Sequence, residues 1–223
     1  MNEQVSNGKG AWTWRRVAIG AICLCLVAAG AFYYYIYAWR SGYFAADRGR
    51  TAEGWPWIGA AEPELTIHEY VDYDCPHCPE LHQWLRLELL FHQGDVRLVR
   101  HDYARMRCAA GTPGRPPHSC AMARGGLCAA DQGAFWRWND AVMSDPRPLT
   151  GPARDKYPVE TARALGLDLA AFEACLTAPK TIERAQAIYT EAKGHRIADT
   201  PSYVVDGRRL DIVQMAELLD DRL

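Results

Sequence analysis

The segment between residues 65 and 100 constrains the fold more than any other part of the chain. Leu65 to Val71 is a short run of mainly apolar or β-forming residues and predicts a strand. After two cysteines, leucines recur at three- and four-residue steps as far as about Gly94, which predicts a helix. Val96 to Arg100 predicts a second strand. Strand, crossover helix and strand in this order build a parallel sheet.

The rest of the soluble part predicts helices followed by a hairpin. No convincing strand occurs between about residues 103 and 198, which begin with a loop rich in Gly and Pro. Three later stretches have helical composition: 121–143, interrupted at Gly133, 159–165, and 169–197, interrupted at Pro179. Asp206-Gly207 then separates two short strand-like runs, as in a β-hairpin, and Val213 to Leu219 predicts a last helix. We therefore expect an α/β fold with an inserted α-helical subdomain.

An uncharged segment at the N-terminus predicts a membrane anchor. Val17 to Trp39 is enough for about 34 Å of helix, which spans a bilayer. Ala29-Gly30-Ala31 fits a signal-peptidase site, but the apolar run continues to Trp39, which favours retention over cleavage. The predicted organisation is a cytoplasmic segment 1–16, a transmembrane helix 17–39, a linker 40–58 and a domain 59–223 with its insertion at about 103–198. Basic residues flank both ends of the span, so charge alone leaves its orientation open.

The overall charge excludes one class of function. The formal net charge is −2, and no dense stripe of Lys or Arg is present. Proteins that bind nucleic acid carry such a stripe, so we expect no nucleic-acid partner.

The two cysteines after the first predicted strand, in Cys75-Pro76-His77-Cys78, could bind a metal, form a structural disulfide or exchange electrons. A helix N-terminus stabilises negative charge, and a protonated His77 would add to that effect, so Cys75 is expected to be the exposed thiolate and Cys78 the resolving thiol. Pro76 suits a first helical turn. Asp74 would oppose the thiolate. A metal would need further ligands, and we expect none at this pair and no cofactor.

This dithiol resembles that of the DsbA family of thioredoxin-fold disulfide oxidoreductases. The resemblance rests on the dithiol, on Glu69 in the preceding strand, on the segment from Ala129 to Trp136, and on Thr200-Pro201 before the hairpin. It covers about Gly59 to Asp221. It implies a thioredoxin-like fold with a helical insertion and a protein disulfide oxidoreductase activity.

The resemblance also implies roles for three residues outside the dithiol. Thr200-Pro201 would be a cis-proline loop that lies against the cysteines and binds substrate peptide by strand addition. Glu69 would be a partly buried acid beneath Cys78, with a raised pKa that lets it move a proton to or from that thiol. The alternative for Glu69 is an edge position facing water. Thr before the proline resembles isomerase-type and some other DsbA-like members, which leaves the direction of electron flow open.

Four further cysteines follow in the predicted insertion. We favour a Cys108–Cys120 disulfide across the Gly/Pro loop and a Cys128–Cys175 disulfide between helices, and the second resembles a structural disulfide of some DsbA-like relatives. The alternatives are a zinc cluster that includes His118, or reduced, packed thiols. No role is assigned to the remaining histidines, His68, His92, His101 and His195.

The leading hypothesis is a membrane-tethered dithiol oxidase that acts on protein or peptide thiols outside the cytosol. By resemblance, a DsbB-like or other quinone-linked membrane protein would re-oxidise it. Because an oxidant of dithiols serves little purpose in a reducing cytosol, we expect an inner-membrane protein whose domain faces the periplasm or the cell exterior. The alternatives are an isomerase or reductase of the same fold, or a non-catalytic peptide-binding chaperone or scaffold.

Overall fold

The computed structural model describes residues 8–45, 48–92, 94–104, 118–145 and 151–222, and a division into two compact units falls between Ala45 and Ala46. The first unit is helix α1, Gly8–Ala45. Its segment Arg16–Ile36 is long and apolar enough to cross a membrane, and its side chains are exposed within the unit. A signal sequence would share this length and composition. The helix extends beyond both predicted ends of the span.

The second unit is built on a six-stranded sheet of order β1-β2-β4-β3-β5-β6. The strands are β1 Arg48–Arg50, β2 Pro56–Gly59, β3 Leu65–Val71, β4 Val96–Asp102, β5 Ser202–Val205 and β6 Arg208–Leu210. Among its described residues the helices are α2 Cys78–Phe91, α3 His118–Asp131, α4 Phe135–Met143, α5 Gly151–Ala164, α6 Leu169–Thr177, α7 Pro179–Gly194 and α8 Ile212–Arg222. β3 and β4 are parallel and joined through α2, as predicted, whereas the other neighbouring strands are antiparallel.

The prediction of a linker at 40–58 is wrong. Residues 40–45 continue α1, and β1 and β2 add two strands to the sheet. β2 pairs with β4, with Trp57 opposite Val99 and Gly59 opposite Arg97. Gly59 has a φ of +113°, and a Cβ there would collide with the carbonyl oxygen of Val96. Glycine at position 59 is therefore a requirement of close strand pairing.

The sheet is covered on both faces. Side chains alternate along a strand, so the odd-numbered residues of β3 and the even-numbered residues of β4 share one face. On that face Ile67 and Leu98 lie in a core with Leu85 of α2 and Met215 of α8. We call it the α2 face. On the opposite α7 face, Tyr70 and Val99 belong to a second core with residues of α7, among them Ile188.

The insertion from α3 to α7 has its own core, and its described residues contain no strand, as predicted. Trp138 of α4 and Phe172 of α6 lie at its centre, both fully buried, with ring centroids 5.4 Å apart. Cys128 and Cys175 form a disulfide that joins α3 to α6, which is the pairing favoured from the sequence.

The hairpin after the insertion forms at Asp206-Gly207. Both residues have positive φ, +50° and +76°, which suits the two-residue turn that matches strand twist. The hairpin places β5 beside β3, antiparallel, with Tyr203 opposite Glu69. The loop that enters β5 is thereby positioned next to the end of β3.

Candidate active site

The two cysteines lie between the end of β3 and the start of α2. His77 is the N-cap of α2, without a side-chain capping bond, and Cys78 is the first helical residue. Pro76 therefore precedes the first turn, contrary to the prediction, and Pro79 is the proline inside it. The reason is that the turn from Asp72 to Cys75, closed by a hydrogen bond of 3.0 Å from the Cys75 amide to the Asp72 carbonyl, delays the helix.

The sulfurs differ in their access to solvent. Both residues are free thiols; Cys78 is fully buried and Cys75 is 5% exposed. Both cysteines are therefore buried, and Cys75, which was expected to be exposed, is only the more accessible of the two. Burial, reinforced by a hydrogen bond with Cys75, raises the pKa of the Cys78 thiol. His77 is exposed.

The loop before β5 meets the dithiol. The Cys75 thiol donates a hydrogen bond of 3.1 Å to the carbonyl oxygen of Thr200, and the Thr200-Pro201 peptide bond is cis. The fold therefore brings together the two parts of the chain that the resemblance had placed side by side. The hydroxyl oxygen of Thr200 is buried and has no hydrogen-bond partner among the described residues.

The carboxylate of Asp74, next to Cys75, forms contacts with α3. One of its oxygens accepts a 3.1 Å hydrogen bond from the backbone amide of Ser119, in the first turn of α3, and the other lies 2.8 Å from Nδ1 of His118. A helix N-terminus stabilises a carboxylate. The charge next to Cys75 is therefore shared with α3, which weakens its expected opposition to a thiolate.

The contacts of His118 also bear on the zinc alternative. Cys120 and Cys128 are disulfide-bonded, so neither is a thiolate ligand, and His118 is paired with Asp74. Cys108 lies outside the described residues. The proposed zinc cluster is therefore not formed by these residues.

Glu69 is fully buried on the α2 face, which rules out the water-facing edge position. Its carboxylate lies 2.7 Å from Nδ1 of His82 in α2 and 3.3 Å from Nη1 of Arg100 in β4. Burial alone would raise the pKa of Glu69, but His82 and Arg100 outweigh it and lower the pKa below its usual value. The predicted raised pKa is therefore wrong, and the neighbouring Arg100 favours the ionised form of Glu69.

The polar contacts of Glu69 continue along β4 through Arg100. Arg100 also donates from Nε to Asp102 at 3.1 Å, and burial raises the pKa of Asp102 to about 6 despite this contact. Burial also lowers the pKa of His82, although the carboxylate of Glu69 beside it acts in the opposite direction. Tyr73 donates a 3.0 Å hydrogen bond to Asp102 and also packs against the core residues around both cysteines. We refer to Glu69, His82, Arg100 and Asp102 as the buried charge cluster.

Sequence reasoning missed three members of this cluster. Arg100 and Asp102 occupy alternate positions of β4, and the parallel register sets Arg100 opposite Glu69. The signal was present in two charged residues at the end of a strand that is otherwise apolar. Without the register, nothing connected them with Glu69.

Comparison with known proteins agrees with this geometry. The family model described as Thioredoxin (Thioredoxin_4) matches residues 51–221. The chain belongs to the thioredoxin family. Among solved structures, a thioredoxin-like oxidoreductase from Silicibacter pomeroyi is 23% identical, with a TM-score of 0.61 over 77% of this chain and 92% of that one. BdbD from Bacillus subtilis is 15% identical, with a TM-score of 0.61 over 79% and 97%.

A third solved structure is MdbA, a thiol-disulfide oxidoreductase from Corynebacterium diphtheriae, 16% identical with a TM-score of 0.60 over 80% of this chain and 98% of that one. These likenesses show the thioredoxin-like fold with its helical insertion. Among curated proteins, the Na(+)/H(+) antiporter NhaA of Herminiimonas arsenicoxydans is 33% identical over 153 residues, which are 68% of this chain and 22% of the antiporter. The chain thus spans about a fifth of that relative, and ion transport is not carried over to it.

Proposed function

We propose that this thioredoxin-family protein is a membrane-tethered thiol:disulfide oxidoreductase that oxidises dithiols in secreted or periplasmic proteins. The observation that carries the proposal is the asymmetry of the dithiol. Cys75 is slightly exposed and contacts the carbonyl oxygen of Thr200, whereas Cys78 is fully buried behind it. One sulfur can thus be attacked by a substrate while the other is protected.

In the proposed reaction, a substrate thiolate attacks the sulfur of Cys75 in the oxidised protein. The Cys75–Cys78 bond breaks, a mixed disulfide forms, and Cys78 leaves as a thiolate. Because burial raises the pKa of Cys78, that sulfur takes up a proton as it leaves. A second substrate thiolate then attacks the substrate sulfur of the mixed disulfide and releases Cys75. Two electrons pass from the substrate to the protein, which is left as the dithiol.

The surroundings of Asp74 support the direction of oxidation. An uncompensated carboxylate beside Cys75 would disfavour its thiolate and so the reduced form. Here the carboxylate is held by the amide of Ser119 and by His118. Isomerisation or reduction by the same dithiol remains the alternative that Thr200 suggests, and reduction-potential measurements with oxidation and reshuffling assays distinguish the three.

Helix α1 supports a location at the membrane. We propose that it holds the domain on the outer side of the inner membrane, facing the periplasm or the cell exterior. Protein or peptide thiols are the proposed substrates. A DsbB-like or other quinone-linked membrane protein would re-oxidise the dithiol, so the domain needs no cofactor of its own.

The proposal is tested by changing Cys75→Ser and measuring the oxidation of a reduced test protein by the pre-oxidised variant. We expect activity to fall to the uncatalysed background, because no disulfide can form at residue 75. Cys25→Ser, which removes a free thiol from α1, is the matched control and should leave the rate unchanged. Full activity in Cys75→Ser would refute the mechanism.

A non-catalytic chaperone is distinguished by trapping. With Cys78→Ala, the mixed disulfide between Cys75 and a client cannot be resolved by Cys78, so covalent adducts should accumulate in cells. A scaffold that binds peptides without exchange would yield no adducts that a reductant removes. Mass spectrometry of the adducts would also identify the clients.

A further inference from the structure

A second polar group lies on the α7 face, opposite the buried charge cluster. It consists of His68 in β3, His101 in β4 and Glu191 in α7, and we call it the histidine cluster. One potential ligand atom from each residue lies within 4.8 Å of the other two. Nδ1 of His68 is 3.0 Å from Nε2 of His101, and Nδ1 of His101 is 3.7 Å from Oε1 of Glu191.

The surrounding aromatic residues orient this cluster. The ring of His101 is fully buried and stacks on Tyr70, with centroids 4.4 Å apart and an interplanar angle of 11°. The ring of Trp55 is tilted by 57° against that of His101, with centroids 5.5 Å apart. The hydroxyl of Tyr70 donates a 2.8 Å hydrogen bond to Oε1 of Glu191. Partners of this kind fix the orientation of histidine and carboxylate groups around a bound metal.

The hydrogen bonds of the cluster leave one buried nitrogen unsatisfied. The hydrogen bond between Nδ1 of His68 and Nε2 of His101 gives Nε2 a partner. Nδ1 of the same ring is buried and has no hydrogen-bond partner in the part of the chain that the structure describes, and its 3.7 Å distance to Glu191 is too long for one. A buried polar atom without a partner is costly, so this nitrogen indicates a missing ligand.

We propose that His68, His101 and Glu191 bind one divalent transition-metal ion, for which zinc is the natural probe. Two imidazoles and a carboxylate are a donor set that such ions favour. Bonds of about 2.0–2.1 Å to two nitrogens 3.0 Å apart make an angle of roughly 95° at the ion, and donors 3.7 Å apart make roughly 130°. One ion bonds to only one nitrogen of His101, and the one ligand atom that each residue offers lies within 4.8 Å of the other two. Rotation of the His68 or Glu191 side chain would bring all three within the roughly 4 Å that two such bonds span.

The side chain of Glu191 can adjust its position to a bound ion. It is 31% exposed, so it can rotate towards the histidines and leave a position for water. The ion would link β3, β4 and α7. Binding to the folded chain alone adds to its stability by mass action, so the thermal midpoint should rise with the concentration of zinc.

The test is a zinc titration of the full-length chain in detergent, after treatment with a chelator. The dithiol is first oxidised to its disulfide and the remaining free thiols are blocked with N-ethylmaleimide, so that no cysteine competes for the ion. Calorimetry should show one equivalent of zinc bound with micromolar or tighter affinity. Cobalt in place of zinc should give a visible absorption band of the same stoichiometry.

Two variants address the ligands. His68→Asn and Glu191→Gln should each lower the affinity at least about tenfold, since each removes one of three ligands. His92→Asn, which removes a histidine at the end of α2, is the matched control and should bind as the unmodified chain does. If His68→Asn fails to fold, Glu191→Gln still provides the test, because the side chain of Glu191 is partly exposed. Absence of zinc binding, or binding that is unchanged in both ligand variants, would overturn the proposal.

Discussion

The two faces of the sheet carry polar groups of different character, although their residues alternate along the same two strands. On the α2 face the buried charge cluster joins a cation, Arg100, to two fully enclosed carboxyl groups. On the α7 face the histidine cluster joins two imidazoles to a carboxylate that is 31% exposed. Beside the dithiol, then, a buried cation compensates the carboxylates, whereas the group on the opposite face consists of imidazoles and one carboxylate.

This difference predicts unequal responses to the loss of one member. A buried ion pair that loses one partner leaves an uncompensated charge, which is strongly destabilising. A set of two imidazoles and a partly exposed carboxylate loses a ligand or a hydrogen bond, at a smaller cost. The following substitutions test the buried charge cluster first and then compare the two faces directly.

The largest effect is expected from Arg100→Met, which leaves two buried carboxyl groups without their cation. The free energy of unfolding should fall by about 3–5 kcal/mol, as measured by chemical denaturation. Arg209→Met is the matched control, because Arg209 pairs with Asp199 at 3.4 Å on the surface, where both side chains are largely exposed. The free energy of unfolding of Arg209→Met should fall by less than about 1 kcal/mol. Equal losses would show that the α2 face does not depend on its buried cation.

An intermediate effect is expected from Asp102→Asn as a function of pH. Burial raises the pKa of Asp102 to about 6, so the folded chain keeps a proton that the unfolded chain has released. The resulting stabilisation is present below the unfolded pKa, near 3.8, and is lost as the pH rises through 6. The stability of the unmodified protein relative to the variant should therefore decrease by as much as ~3 kcal/mol over this window.

The measurement is a pair of denaturation series at several pH values. Glu69 cannot imitate the result, because its pKa is lowered and its contribution is instead lost as the pH falls below about 4.5. A difference between the two proteins that stays constant or grows with pH would contradict the assignment to Asp102.

The smallest effect is expected from two Tyr→Phe substitutions, one on each face. Tyr70→Phe removes the hydrogen bond to Glu191 and should cost about 1 kcal/mol. Tyr203, opposite Glu69 in the sheet, has a buried hydroxyl without a hydrogen-bond partner among the described residues. Tyr203→Phe should therefore be neutral or stabilising by up to about 1 kcal/mol. If both variants lost equal stability, the comparison of hydrogen bonding on the two faces would be wrong.

The parts of the fold that could be predicted from sequence are those with a strong local pattern. β3, α2 and β4 follow from an apolar run, a leucine period and a second apolar run, and the hairpin follows from Asp206-Gly207. β1 and β2 were missed because three and four residues containing Gly and Pro lack any such pattern. They become strands only because β4 offers a partner to β2, and β2 in turn offers one to β1.

The same distinction applies to the site. Cys75, Cys78 and Thr200 could be placed together through the family resemblance. The direction of the pKa shift of Glu69 could not be predicted from the sequence. It depends on Arg100, 31 residues away, and on His82, 13 residues away. His68 and His101 were left unassigned because single histidines have no pattern until the sheet brings them within 3.0 Å of each other.

The hydrogen bond between Cys75 and Thr200 joins residues that are 125 positions apart. At a synthesis rate of about 5–20 residues per second, Thr200 is made roughly 6–25 seconds after Cys75. During that interval the growing chain contains both cysteines but neither the loop that contacts them nor β5. The reactive centre is thus completed only after Thr200 and β5 have been made, and a chain that stops before residue 200 would present two thiols without the surroundings that give them different reactivity.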